Sequence, residues 1–236
     1  MKIPEKLTYL LLKSLSQNIN EQKTDIYNKK TFFNLTNELV EKGNNIISYI
    51  NNKNKKSNEE LIKNNELIKG FLIQVEDWKI RCKRNIAQEG NLSKNNLEDV
   101  RECIASSIRQ IDNDYLALAN IMRLIGCANI NSIKCANKYS CKMATTILRF
   151  LYPDKWGVVD WRTTALFKEL KKYDYDIDEV TKNVDKQKNV RELYENLPPE
   201  LAIEVNDYYR FVGKMIGKTP AEVDMAIYKL SFEIWT

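Results

Sequence analysis

Apolar positions recur at helical spacing along most of the chain. Leu7, Leu10, Leu11 and Leu15 share one face of a first helix. Phe32, Phe33, Leu35, Leu39, Val40, Ile46, Ile47 and Ile50 outline a second, with Gly43 as its expected break or kink. Residues 61–80 carry a third pattern through Leu67, Ile68, Phe71, Leu72, Val75 and Trp78. Leu97, Val100, Ile104, Ile108 and Ile111 form one clean stripe, and Asn96 with Asp99 suits its start. The run 115–125 stops at Gly126. Ser132 is placed to cap a short helix through Asn137, and Ser140 a longer one ending before Pro153. The chain then turns at Gly157 and starts a helix near Asp160, whereas 173–188 reads as a polar, acidic loop. Pro198 and Pro199 introduce a helix towards Lys214. Thr219, Pro220, Ala221 and Glu222 spell a capping box for the last one, whose stripe is Val223, Ala226, Ile227, Leu230 and Ile234. The pattern predicts an all-α protein. The apolar-free run 51–58 marks a boundary between an N-terminal helical segment, 1–56, and a larger helical domain, 57–236.

Composition narrows the chemistry. At 236 residues the chain is long enough to bury a core without disulfides or structural metal. It contains no histidine, which excludes a Ser-His-Asp or Cys-His system, imidazole acid/base work and most zinc sites. Its five cysteines, Cys82, Cys103, Cys127, Cys135 and Cys141, form no C-x-x-C pair and read as free thiols of an intracellular, reducing compartment. No metal or other cofactor is expected. The apolar stretch 7–15 is interrupted by Lys13 and too short to span a bilayer, so no membrane association is expected. A net charge of +5 leans towards a polyanionic partner.

Lys134, Lys138 and Lys142 recur every four residues, a spacing that fits either a solvated helix face or a row of phosphate contacts. Asp160 follows in an otherwise apolar turn of Gly157, Val158, Val159 and Trp161, where it suits an N-cap whatever else it does. The stretch 138–166, KYSCKMATTILRFLYPDKWGVVDWRTTAL, resembles the helix-hairpin-helix (HhH-GPD) DNA glycosylases of the 8-oxoguanine glycosylase type and their prokaryotic relatives. The matching elements are Lys142-Met143-Ala144 before an apolar helix, Pro153, the pair Val158-Val159, and Asp160. Upstream, Trp78-Lys79-x-Arg81 and the run LALANIMRLIG are similar to segments of prokaryotic members; downstream, Val223 to Tyr228 resembles the closing helix. The likeness covers approximately residues 70–235.

The resemblance implies a glycosylase-like fold with extra N-terminal helices, acting as a monomer on DNA to excise a modified base. In that family the lysine attacks the sugar carbon bearing the base, while the aspartate helps the lysine lose its proton and stabilises charge on the sugar. Carried over, Lys142 is the nucleophile and Asp160 the carboxylate. Lys134, Lys138, Ser140, Arg149 and Arg162 are the DNA contacts, and Tyr139, Trp156 and Trp161 line the base pocket, with Tyr152 nearby. A lysine amine attacks only when neutral, so neighbouring cations such as Lys138 and Arg149 are expected around it. A flipped base would be held by stacking on the aromatics, which equally suit core packing. The sequence also departs from the family. Its hairpin, Lys138-Tyr139-Ser140-Cys141, lacks the Gly-x-Gly turn that grips a phosphate, and a gapless alignment puts Cys141 in the lysine's place. Cys141 at that position implies water as the nucleophile, or no catalysis. A non-catalytic nucleic-acid-binding protein and a purely structural helical module therefore remain alternatives. No cysteine follows Cys141, so no iron–sulfur centre is expected. Asp174, Asp176 and Asp178, with Asp185, imitate the start of a calcium loop, but Glu179 stands where its glycine belongs.

Overall fold

The computed structural model describes residues 3–16, 29–52, 58–80, 90–138, 140–183 and 190–235. Among them are eleven α-helices and no strand. They are α1 (Glu5–Ser16), α2 (Lys29–Asn51), α3 (Asn58–Ile80), α4 (Leu97–Arg109), α5 (Asp114–Met122), α6 (Lys142–Leu151), α7 (Trp161–Lys172), α8 (Ile177–Asn183), α9 (Val190–Glu195), α10 (Pro199–Ile216) and α11 (Pro220–Ile234). Short 3-10 turns at Leu92–Lys94 and Ile133–Lys138 join α3 to α4 and lead towards α6. No helix among the described residues is long and apolar enough to cross a membrane.

The elements begin where the sequence places caps. Asn96 accepts the Asp99 N–H at the start of α4, and Thr219 and Glu222 exchange both bonds of a capping box at the start of α11. The apolar stripes meet in one cluster. Leu7 and Leu11 of α1, Leu39 and Ile46 of α2, Ile68 and Phe71 of α3, Ile104 of α4, Ile147 and Phe150 of α6 and Ile227 of α11 are all essentially inaccessible. The N-terminal helices thus contribute to the same core as the rest: α1 packs on α11, and α2 on α3 and α6. Buried Lys229 of α11 donates to the Ser14 carbonyl in the last turn of α1, where a cation complements the helix dipole. Residues 53–57, in the polar run between α2 and α3, lie outside the described residues.

Three local expectations change. Gly43 does not break α2, which runs through it; a Cβ there would stand 2.2 Å from the Phe150 carbonyl oxygen, so the glycine permits close approach of α2 to α6. Cys141, not Ser140, is the N-cap of α6, and its side chain makes no capping bond. The acidic segment 173–188 is not all loop, because α8 forms within it: Ile177 and Val180 are buried, and Asp176 Oδ1 accepts the N–H groups of Asp178 (2.9 Å) and Glu179 (3.3 Å). Asp176 is therefore committed to a helix start, and Asp178 accepts from Lys6, so two of the three aspartates already have partners. Asp185 lies outside the described residues.

An exposed helical Gly→Ala change ordinarily stabilises by up to about 1 kcal/mol. At Gly43 the sign reverses, since the new methyl must push α2 off a main-chain carbonyl. Gly43→Ala is expected to destabilise by about 1–3 kcal/mol in urea unfolding; a neutral or stabilising result would refute the close approach.

Candidate active site

The first turn of α6 abuts the turn that leads into α7. Thr145 Oγ1 accepts the Val159 N–H at 3.2 Å and lies 3.0 Å from the Lys142 carbonyl oxygen, so one hydroxyl ties the residue before Asp160 to the start of α6. Lys142 is the first residue of α6 and Asp160 the N-cap of α7. Asp160 Oδ1 accepts Arg162 N–H (2.9 Å) and Thr163 N–H (3.2 Å), while Thr163 Oγ1 returns a bond to Asp160 N–H. Its Oδ2 makes no hydrogen bond among the described residues.

Four buried side chains hold the turn before Asp160. Asn206 of α10 accepts Gly157 N–H at 2.9 Å and donates to the Lys155 carbonyl at 3.0 Å. Asp224 of α11 accepts Val158 N–H at 2.7 Å, and Tyr209 of α10 donates to the Val158 carbonyl at 3.1 Å. Thr145 supplies the fourth contact. Gly157 is required by closeness: a Cβ would meet Tyr209 at 2.7 Å and Asp224 at 2.8 Å.

Lys142 faces a carboxylate rather than cations. Its Nζ lies 3.0 Å from Glu195 Oε1 of α9, and its side chain is only 17% exposed. Burial pushes the Glu195 carboxyl up, but hydrogen bonds from Lys142 and Arg191 outweigh this and hold it below the usual carboxylate range. A different lysine, Lys79 at the end of α3, reaches the first turn of α6, with Nζ 3.1 Å from the Lys142 carbonyl and 2.5 Å from Thr146 Oγ1. Cys141 is fully buried; its N–H and thiol both donate to the Leu197 carbonyl. Burial pushes this thiol up to about 12, which leaves it a poor nucleophile at neutral pH.

The residues expected at the DNA surface divide. Lys134 is exposed, Ser140 half-buried, and Tyr139 and the side chain of Lys138 lie outside the described residues. Arg149 is 3% exposed. Its guanidinium lies above the Phe150 ring (4.5 Å) and the Trp78 ring (5.4 Å), and Nε is 3.8 Å from Asp224 Oδ2. It is an interior charge instead of a surface cation, because α6 is buried on nearly all sides. Arg162 is half-buried between Phe232 (3.9 Å) and Trp161 (4.6 Å), with Nη1 lacking a hydrogen-bond partner. Desolvation lowers the pKa of both arginines. Trp161 is partly exposed beside Asp160, whereas Trp156 is wholly buried and serves the core. Tyr152 is half-buried.

The structure thus adjoins the helix starts that carry Lys142 and Asp160, and leaves Arg149 and Trp156 inside. Lys79, Asn206, Tyr209 and Asp224 join the site without having been assigned a role from sequence. The only sequence signals are Lys79 within Trp78-Lys79-x-Arg81 and Asp224 within the Val223 to Tyr228 run. Comparison of the chain with protein-family models, curated proteins and solved structures finds no match in any of the three.

Proposed function

We propose that this protein is a DNA glycosylase-like enzyme of the helix-hairpin-helix kind, a monomer that excises a modified base, with an oxidised purine as the leading substrate. Lys142 would attack the sugar carbon that bears the base. The N-glycosidic bond breaks, the base leaves with the bonding electron pair and takes up a proton, and an enzyme–sugar adduct remains. Asp160 would stabilise positive charge on the sugar through the carboxylate oxygen that its cap leaves unused. The observation that carries this reading is the junction at Thr145 and Val159, which sets a lysine-bearing helix start against an aspartate-bearing one. The fixation of the intervening turn by four side chains adds support, since a simple N-cap requires none of it. Lys134, Ser140, Arg162 and Trp161 remain the accessible candidates for DNA contact.

Attack requires Lys142 to leave Glu195. Glu195 is half exposed, and partly solvated pairs contribute about 0–1 kcal/mol, so parting costs little. The same pair favours a second reading, a non-catalytic nucleic-acid-binding protein in which Lys142 is a structural cation and Asp160 only a cap.

Incubation with duplexes containing 8-oxoguanine or an abasic site, followed by borohydride, separates the readings. A covalent adduct is expected with the wild type, none with Lys142→Ala, and a rate about 10²–10⁴-fold lower with Asp160→Asn. An adduct that survives Lys142→Ala removes Lys142 as nucleophile; base release without an adduct indicates attack by water. DNA binding with neither outcome over a panel of lesions selects the non-catalytic reading.

Glu195→Gln tests the resting pair separately. It is expected to change stability by no more than about 0.5 kcal/mol and to speed adduct formation by freeing Lys142. Slower trapping would mean that Glu195 orients the amine for attack.

A further inference from the structure

Arg149 and Asp224 form the most deeply buried pair of opposite charges in the vicinity of the site, each 3% exposed. As a stabilising device the pair is poor. Arg149 Nε stands 3.8 Å from Asp224 Oδ2, beyond a hydrogen bond, and Arg149 Nε and Nη1 have no hydrogen-bond partner. Burial lowers the arginine pKa despite Asp224, and raises the aspartate to about 7 despite Arg149 and the Val158 N–H. The attraction therefore does not repay desolvation of either partner. What the pair does have is a definite mechanical output. Asp224 Oδ2 receives the Val158 N–H at 2.7 Å, two residues before Asp160, and the absence of a Cβ at Gly157 lets α11 approach the turn.

We propose that Asp224, backed by Arg149, is a positioning residue for Asp160: it clamps the 157–160 turn through the Val158 N–H, and its charge sets the tightness of that clamp. The inference rests on the glycosylase reading only for its catalytic consequence. An ionised carboxylate accepts a stronger, shorter hydrogen bond than a neutral carboxylic acid, so the turn tightens as Asp224 loses its proton. The charged and titratable groups around Asp224 come from several elements: Arg149 of α6 and Lys79 of α3 favour its ionised form, and Asp160 at the head of α7 opposes it. Tyr209 of α10, its hydroxyl on the Val158 carbonyl, is pushed far above its ordinary value by burial and stays neutral. In a chain without histidine, burial pushes Asp224 up to about 7, which sets a titrating group beside the proposed site.

The stability linkage has a definite sign. Asp224 has a folded-state pKa above its unfolded one, so its protonation favours the folded state. That contribution is complete below about pH 4 and is lost as pH rises to about 7.

The test follows the Val158 and Asp160 backbone amide signals by NMR from pH 5 to 9 in wild type, Asp224→Asn and Arg149→Met/Asp224→Asn. Asparagine keeps an acceptor for Val158 but cannot titrate, and the double variant removes both charges in case the single one leaves Arg149 uncompensated and fails to fold. The Val158 amide should move downfield with a midpoint near 7 in the wild type and stay flat in the variants, with the double variant melting no lower than the wild type at pH 8. A flat wild-type trace, a titration that persists without Asp224, or a double variant that melts well below wild type overturns the proposal, the last by making the pair a prop of the fold. In 8-oxoguanine release, kcat should show the same inflection with KM unmoved, and the variant should lose it; an inflection retained by the variant also overturns the proposal. Failure of base release at every pH, with the amide titration intact, removes the glycosylase reading and leaves the clamp standing.

Discussion

A non-helical turn through the middle of a helical bundle has no ladder to satisfy its backbone, and this chain routes one between α6 and α7. Gly157, Val158 and Val159 are buried, so each N–H and C=O there must find a partner or cost about 1–3 kcal/mol. The partners come from three other helices: Thr145 from α6, Asn206 and Tyr209 from α10, Asp224 from α11. Each bond that satisfies the turn also fixes a helix, and the relative placement of α6, α7, α10 and α11 follows from it. The Pro153 carbonyl continues the pattern by accepting Ala221 N–H in the first turn of α11.

That constraint explains the interior charge. A main-chain N–H can be satisfied by a neutral amide, as Asn206 does for Gly157, but Asp224 brings a carboxylate into the core, and Arg149 answers it from α6. Guanidinium tolerates this place better than ammonium because its faces pack on aromatic rings, here Phe150 and Trp78. Trp78 is in turn fixed by its indole N–H, which donates to Thr36 of α2 at 3.0 Å. The N-terminal helices are thereby linked to the pair behind the site, through Thr36 and Trp78 on one side and through Lys229 and Ser14 on the other.

The legible parts of the fold are those governed by local rules. The stripe and caps of α4 and α11 were readable because periodicity and capping chemistry agree within one segment. The need for glycine at position 43 is not legible, because its reason lies in α6, more than a hundred residues away. The α8 region was misread because aspartates spaced by two look like loop or ligand residues until Ile177 and Val180 find a core to enter. Within the site, Lys142 and Asp160 stood out by residue type and interval. Arg149 was read as a surface cation although Ile147, Leu148, Phe150 and Leu151 surround it, a local apolar density that already indicated burial. Trp156 poses the opposite difficulty, since an aromatic beside a turn has the same sequence signature whether it stacks on a ligand or fills the core. Asn206 and Tyr209 carried no signal, as their partners are main-chain atoms of a turn that sequence alone cannot place.

The resting contact of Lys142 with Glu195 bears on how such a site would meet a polyanion. Glu195 is already held by two cations, Lys142 and Arg191, and half of it is in water. On the proposed reading, a duplex approaching this face brings phosphates that repel Glu195 and attract Lys142, so the same field acts on both partners in the direction that parts them. The cost is set by a partly solvated pair and is small beside the gain from neutralising even one phosphate. On the proposed reading, the pair keeps the amine out of a half-formed site until DNA arrives. The Asp160 end of the site needs no comparable release, because its cap occupies one carboxylate oxygen and leaves the other without a partner among the described residues. On the proposed reading, what must part is the Lys142–Glu195 side-chain contact, while the clamped turn and the helix start tied to it through Thr145 stay fixed.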